Sequence, residues 1–132
     1  TSGDKFLNFI QINPIDVGWI KVDVEGFEKN VLEGFYKTFQ ETNAVVEIEV
    51  NKNTMQLSQT KLIEINDFME INYFHPYVEK RVFSDFTGKD LKEVFDLFFI
   101  KKNTSNAISE KLGLIECPLD FVGNFDLKYF ID

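Results

Sequence analysis

The stretch from Val17 to Glu28, V-G-W-I-K-V-D-V-E-G-F-E, constrains this chain most. It begins as an apolar run, Trp19, Ile20, Val22 and Val24, of the β-branched and aromatic kind that fills a strand buried on both faces. The run stops in Asp23, Glu25, Gly26 and Glu28. The apolar period then changes from two to that of a helix, with Phe27, Val31, Leu32, Phe35, Tyr36 and Phe39 along one face. A strand that meets a helix through an acidic turn is the junction at which open α/β sheets collect ligands.

The following residues extend that unit. Phe27 to about Gln40 reads as a helix, Thr42 and Asn43 as a turn, and Ala44 to Val50 as a second strand. Strand, helix and strand at this spacing predict a parallel pair joined by a right-handed crossover. Leu57 to Ile71 returns to helical spacing as a second crossover. Tyr73 to Phe83 is aromatic and β-branched, but Pro76 interrupts it, which predicts an edge position or a division. Ser84 to Lys92 reads as a loop, and Val94 to Ile100 as a last strand pairing antiparallel with its predecessor. The expected order is β-α-β-α-β-β, a mostly parallel sheet with an antiparallel edge strand. A short helix over Ser105 to Leu112 follows, then a tail with Phe125, Tyr129 and Phe130 that either wraps the core or reaches a partner.

Composition narrows the function classes. The 132 residues hold one core, and 22 acidic against 14 basic side chains give a formal charge of −8. A surface of that sign repels phosphate backbones and anionic bilayers, so neither nucleic acid nor membrane is an expected partner. Cys117 is the only cysteine and His75 the only histidine, which leaves no Cys/His metal cluster and no internal disulfide. No secretory signal and no bilayer-length apolar run is apparent, so the expected setting is reducing and cytosolic.

Two readings of the acids compete. Asp23, Glu25 and Glu28 at a helix start need no activity, because carboxylates there stabilise the helix. The second strand, however, also carries Glu47 and Glu49 toward its end. Neighbouring parallel strands finish on one sheet edge, so Asp23, Glu25 and Glu49 are expected to converge in one crevice. Clustered carboxylates raise one another's pKa or recruit a cation or a hydroxyl-bearing ligand. Lys21 is either their ion-pair partner or a solvated strand residue. His75 reads as a strand-end residue, and Cys117 lacks a base in sequence reach.

The residues I-K-V-D-V-E-G-F-E-K-N-V-L-E-G at 20–34 resemble the signature of the FkbM-type methyltransferases. Asp4 to Ile10 resembles the family's L-D-x-F-I segment, Val45 to Val50 its V-x-x-E strand with Glu49 at the expected distance from Asp23, and Phe98 to Lys101 its closing strand. The resemblance implies an S-adenosylmethionine-dependent O-methyltransferase of Rossmann-like fold, acting on a hydroxyl of a small molecule, sugar or glycan. It implies catalytic roles for Asp23, Glu25 and Glu49, and places Gly26 and Glu28 near the cofactor. Asp23 or Glu49 would orient or deprotonate the acceptor hydroxyl, and no metal is assigned.

The seven glycines include no G-x-G cluster of the kind that cradles such a cofactor. Residues 1–102 are therefore expected to be the C-terminal half of the domain, with 103–132 an extension, and this piece alone is not expected to turn over. Its first strand would leave an open sheet edge for the missing half or another subunit. The alternative is a non-catalytic interaction or scaffold module derived from the same fold.

Overall fold

The computed structural model describes residues 2–82, 94–118 and 120–129, the last three of these for their backbone. Helix α1 (Gly3–Phe9) leads through a 3-10 turn (Pro14–Asp16) into β1 (Trp19–Val22). Helices α2 (Glu28–Gly34) and α3 (Tyr36–Glu41) follow, then β2 (Val45–Asn51), α4 (Lys52–Ser58), α5 (Leu62–Ile71) and β3 (Phe74–Glu79). The chain closes with β4 (Val94–Lys101), α6 (Ser105–Leu112), β5 (Leu114–Glu116) and α7 (Phe121–Tyr129). The loop expected over Ser84–Lys92 lies outside the described residues.

The strands lie in the order β1-β2-β4-β3-β5. β1 and β2 pair parallel as expected, with Val22 beside Ile48. β4 pairs antiparallel with both β2 and β3, and β5 antiparallel with β3. The sheet is therefore mostly antiparallel, and the expected edge strand is internal. β1, β2 and β3 still point the same way. Inserting one reversed strand between β2 and β3 converts what would be a parallel contact into two antiparallel ones. The neighbour relation of β3 and β4 was legible from their spacing, whereas the second neighbour of β4 was not.

Pro76 corrects another expectation, because β3 is not an edge strand. Its carbonyl accepts from Cys117 N–H at 3.0 Å. In an antiparallel strand a residue's N and C=O face the same side, so the missing N–H faces the short β5, which ends one residue earlier. The ladder with β4 loses nothing, which is how an interior strand tolerates a proline.

The first helical region is split at Phe35 (φ −112, ψ 27). Asp4 from α1 accepts from Lys37 N and Thr38 N, each at 2.9 Å, and thereby caps the start of α3. The second is split at Gln59, whose φ of 58 ends α4. Lys61 to Ile71 restarts with the Glu64 carboxylate accepting from Lys61 N at 2.9 Å.

The alternation of β2 places Val46, Ile48 and Val50 on one face, with Leu97 and Phe99 of β4, and α2 to α5 and α7 cover it. Phe39, Phe74, Phe121 and Phe125 fill this core in edge-to-face contacts. Phe125 therefore wraps onto the core and is not offered to a partner, while the Tyr129 side chain and Phe130 lie outside the described residues. Asp126 accepts from Leu62 N and Ile63 N, both at 2.8 Å, so α7 also caps α5. The opposite face holds a smaller cluster of Val45, Tyr77, Phe98 and Ile100 under α6.

Lys101 is buried and donates to the carbonyls of Phe39 and Asn72, each at 2.8 Å. Desolvation lowers its pKa. These carbonyls lie at the C-terminal ends of α3 and α5, where two helix dipoles favour a cation.

Candidate functional site

The acidic turn between β1 and α2 is built from its backbone. Glu25 adopts φ 51 and Gly26 φ 102, conformations that let the chain reverse out of the strand. The Glu28 carboxylate, buried, accepts from Gly26 N–H through both oxygens, at 3.2 and 3.0 Å. Thr60 Oγ1 donates to Gly26 O at 3.4 Å, which ties the turn to the segment before α5. A Cβ on Gly26 would stand 2.6 Å from Thr54 O, so α4 occupies the close approach that this glycine permits.

Glu28 is thus a brace for the turn. Glu28→Ala leaves Gly26 N–H buried without an acceptor, and about 1–3 kcal/mol of stability should be lost. Urea unfolding would show a lower midpoint at unchanged slope, and a loss near zero would contradict the bracing role.

The remaining acids form a row across the uncovered part of the second sheet face. Glu49 lies beside Asp96 in the β2–β4 register. Asp23, one residue beyond the β1–β2 pairing, falls beside Glu49, and Glu79, two residues beyond the β3–β4 pairing, falls beside Asp96. The row Asp23, Glu49, Asp96, Glu79 thus crosses four strands. Behind it lie Lys21 and Glu47, the latter accepting from Trp19 Nε1 at 3.2 Å.

A hydrogen bond with Asp23, then desolvation, and then the charges of Asp23 and Asp96 raise the Glu49 pKa against a smaller opposing effect of Lys21. Asp96 is raised to about 6, first by desolvation and then by its hydrogen bond to Glu47. Of the predicted catalytic set, the structure brings Asp23 and Glu49 together. Glu25 is exposed on the turn and is not among the groups that shift Glu49.

Sequence reasoning missed Asp96 and Glu79. Asp96 is the one acid in V-F-D-L-F-F-I, at the parity of Phe98 and Ile100. That parity is a usable signal only once β4 is known to lie beside β2.

Asp96 also yields a pH dependence. Its folded-state pKa exceeds its unfolded value, so the folded state holds the proton more tightly, and stability falls as pH rises from about 4 through about 6. Asp96→Asn should therefore raise the urea midpoint above about pH 6 and lose that advantage toward about pH 4. The gain is well below the full shift because the group is partly solvated. A pH-independent difference would contradict the coupling.

Residues 2–99 match the family model of the methyltransferase FkbM domain. The chain belongs to this FkbM methyltransferase family. Methyltransferase-like function follows from membership, and the family implies S-adenosylmethionine as methyl donor. No curated protein and no solved structure matches the chain.

In this FkbM domain the acidic row lies apart from the hollows beside α1. The approach at Gly26 is taken by α4, and the hollows of about 440 and 510 Å³ that flank α1 contain no member of the acidic row. Among the described residues there is no group of three or more His, Cys, Asp or Glu arranged to hold a metal ion, and no helix is long and apolar enough to cross a membrane.

Proposed function

We propose that this chain carries the acceptor side of an O-methyltransferase, with residues outside it holding the S-adenosylmethionine. The observation that supports this reading is the Asp23–Glu49 pair, two carboxyl groups side by side at the same end of neighbouring parallel strands, with the Glu49 pKa raised. A general base works best with a pKa near the operating pH. Glu49, shifted upward by Asp23, desolvation and Asp96, accepts the proton of an acceptor hydroxyl, and Asp23 holds Glu49 in place. Glu25 and Gly26 shape the turn beside them. The acceptor is a hydroxyl of a small molecule, sugar or glycan.

The sheet edge supports the rest of the proposal. Among the described residues β1 has a neighbour on one side only, and its outer edge offers unpaired backbone groups to another strand. Exposed apolar side chains adjoin it in sequence: Phe9 is 83% exposed, Trp19 44% and Phe27 61%. In this reading residues 1–102 are the C-terminal half of the domain and 103–132 an extension that seals its core. The same open edge favours the second reading, a non-catalytic module that docks a partner strand.

Calorimetric titration of the chain with S-adenosylmethionine separates these proposals from a self-sufficient enzyme. Weak or absent binding is expected, whereas tight binding would place the cofactor cradle within these residues. Methyl transfer by the chain joined to a cofactor-binding half would then exclude the module reading.

A further inference from the structure

We propose that His75 is a pH-sensitive latch that holds the C-terminal segment around Glu116 and Cys117 onto the sheet. His75 Nδ1 lies 3.3 Å from Glu70 Oε1 of α5, and Nε2 lies 2.6 Å from Glu116 Oε1 of β5. The Nε2 contact is short but not aligned as a hydrogen bond, so charge attraction is its main content. Lys102, following β4, reaches Glu70 Oε2 at 2.8 Å. Tyr77 of β3 packs edge-on against the imidazole, and β4 presents apolar Ile100 opposite it. Among the described residues the charged neighbours are thus two carboxylates and one ammonium already engaged with one of them.

An imidazolium attracts the carboxylate at each of its nitrogens and so holds both α5 and β5, whereas the neutral ring has no net charge with which to hold either. Histidine changes charge within the neutral range. On the acid side, while the carboxylates remain ionised, His75 joins the two elements. On the alkaline side one carboxylate loses its partner and faces a neutral ring.

β5 is the element most exposed to that loss. It has three residues and, among the described residues, pairs with β3 alone. The next residue, Cys117, is 5% exposed, and burial pushes its thiol up to about 12, so it is unreactive while the segment is docked. Behind it Phe121 and Phe125 enter the core. Loosening Glu116 therefore uncovers the only cysteine of the chain.

Labelling of Cys117 by a thiol reagent reads the latch directly. The rate in the native chain, divided by the rate in the urea-unfolded chain at the same pH, removes the reagent's own pH dependence. The ratio should rise about three- to fivefold from about pH 5.5 to about 8.5, the range of a partly exposed ion pair. It should be flat in His75→Gln. Asp96 and Glu49 also titrate toward this range and persist in the variant, so an equal rise in both proteins would overturn the latch.

A second measurement does not depend on that variant folding. Glu116→Gln keeps the ring and removes the β5 carboxylate, and its labelling ratio should be as flat as that of His75→Gln. A rise in Glu116→Gln equal to the parent's would overturn the proposal.

Discussion

Glu49→Gln is expected to lower methyl transfer to a hydroxyl acceptor by about 10²–10⁴-fold, the usual contribution of a positioned general base. The measurement is steady-state methylation by the domain joined to its cofactor-binding residues. The loss should fall on kcat more than on KM, because the proton is taken in the transition state. Gln fits the same space and removes only the proton acceptor.

Asp23→Asn should act differently. Its amide donates a hydrogen bond to the Glu49 carboxylate and removes a negative charge, and both changes favour the charged form. The Glu49 pKa would then fall, and the acid limb of the pH–rate profile would move to lower pH with a smaller loss at its plateau. If both variants kept the parent rate and profile, the acids would be structural and the base assignment to Glu49 would fall.

Phe125→Ala is expected to cost about 3–5 kcal/mol, the range for truncating a fully buried aromatic ring. Phe125 has no exposed surface and packs edge-to-face on Phe95 of β4 at 5.9 Å between ring centres. The next residue, Asp126, caps α5, so displacement of α7 would also free Leu62 N–H and Ile63 N–H. For a domain whose total stability is about 5–15 kcal/mol, this is a large fraction. Chemical denaturation would show a far lower midpoint. A loss under about 1 kcal/mol, outside the buried-aromatic range, would mean that the tail lies outside the cooperative core.

Both predictions rest on residues that the sequence treated unequally. Asp23 was legible because it ends an apolar run at a turn, and Glu49 because it lies near the end of the next strand, and parallel strands bring such ends to one edge. Phe125 was not, because V-G-N-F-D-L-K-Y has neither a long helical stripe nor a strand period. Its burial is decided by a cavity that other elements leave beneath it. Glu28 illustrates a third case: its position at a helix start was visible, but its use as the acceptor for Gly26 N–H depends on the positive φ of that glycine. Glu25 fails to join the carboxylate pair for the same local reason, since the left-handed turn carries it to the exposed side.

The sequence by itself determined the local units, namely the strands around Ile20, Ile48 and Leu97, the acidic junction at Asp23, and the family signature that runs from Ile20 to Gly34. Period and turn chemistry act over a few residues, and those are written in the chain. Only the tertiary structure decided where β4 enters the sheet, and with it the row from Asp23 to Glu79, the interior place of Pro76 and the pairing of His75 with two carboxylates. Strand order depends on which neighbour buries the most apolar surface at the least loop cost, a property of all the elements together.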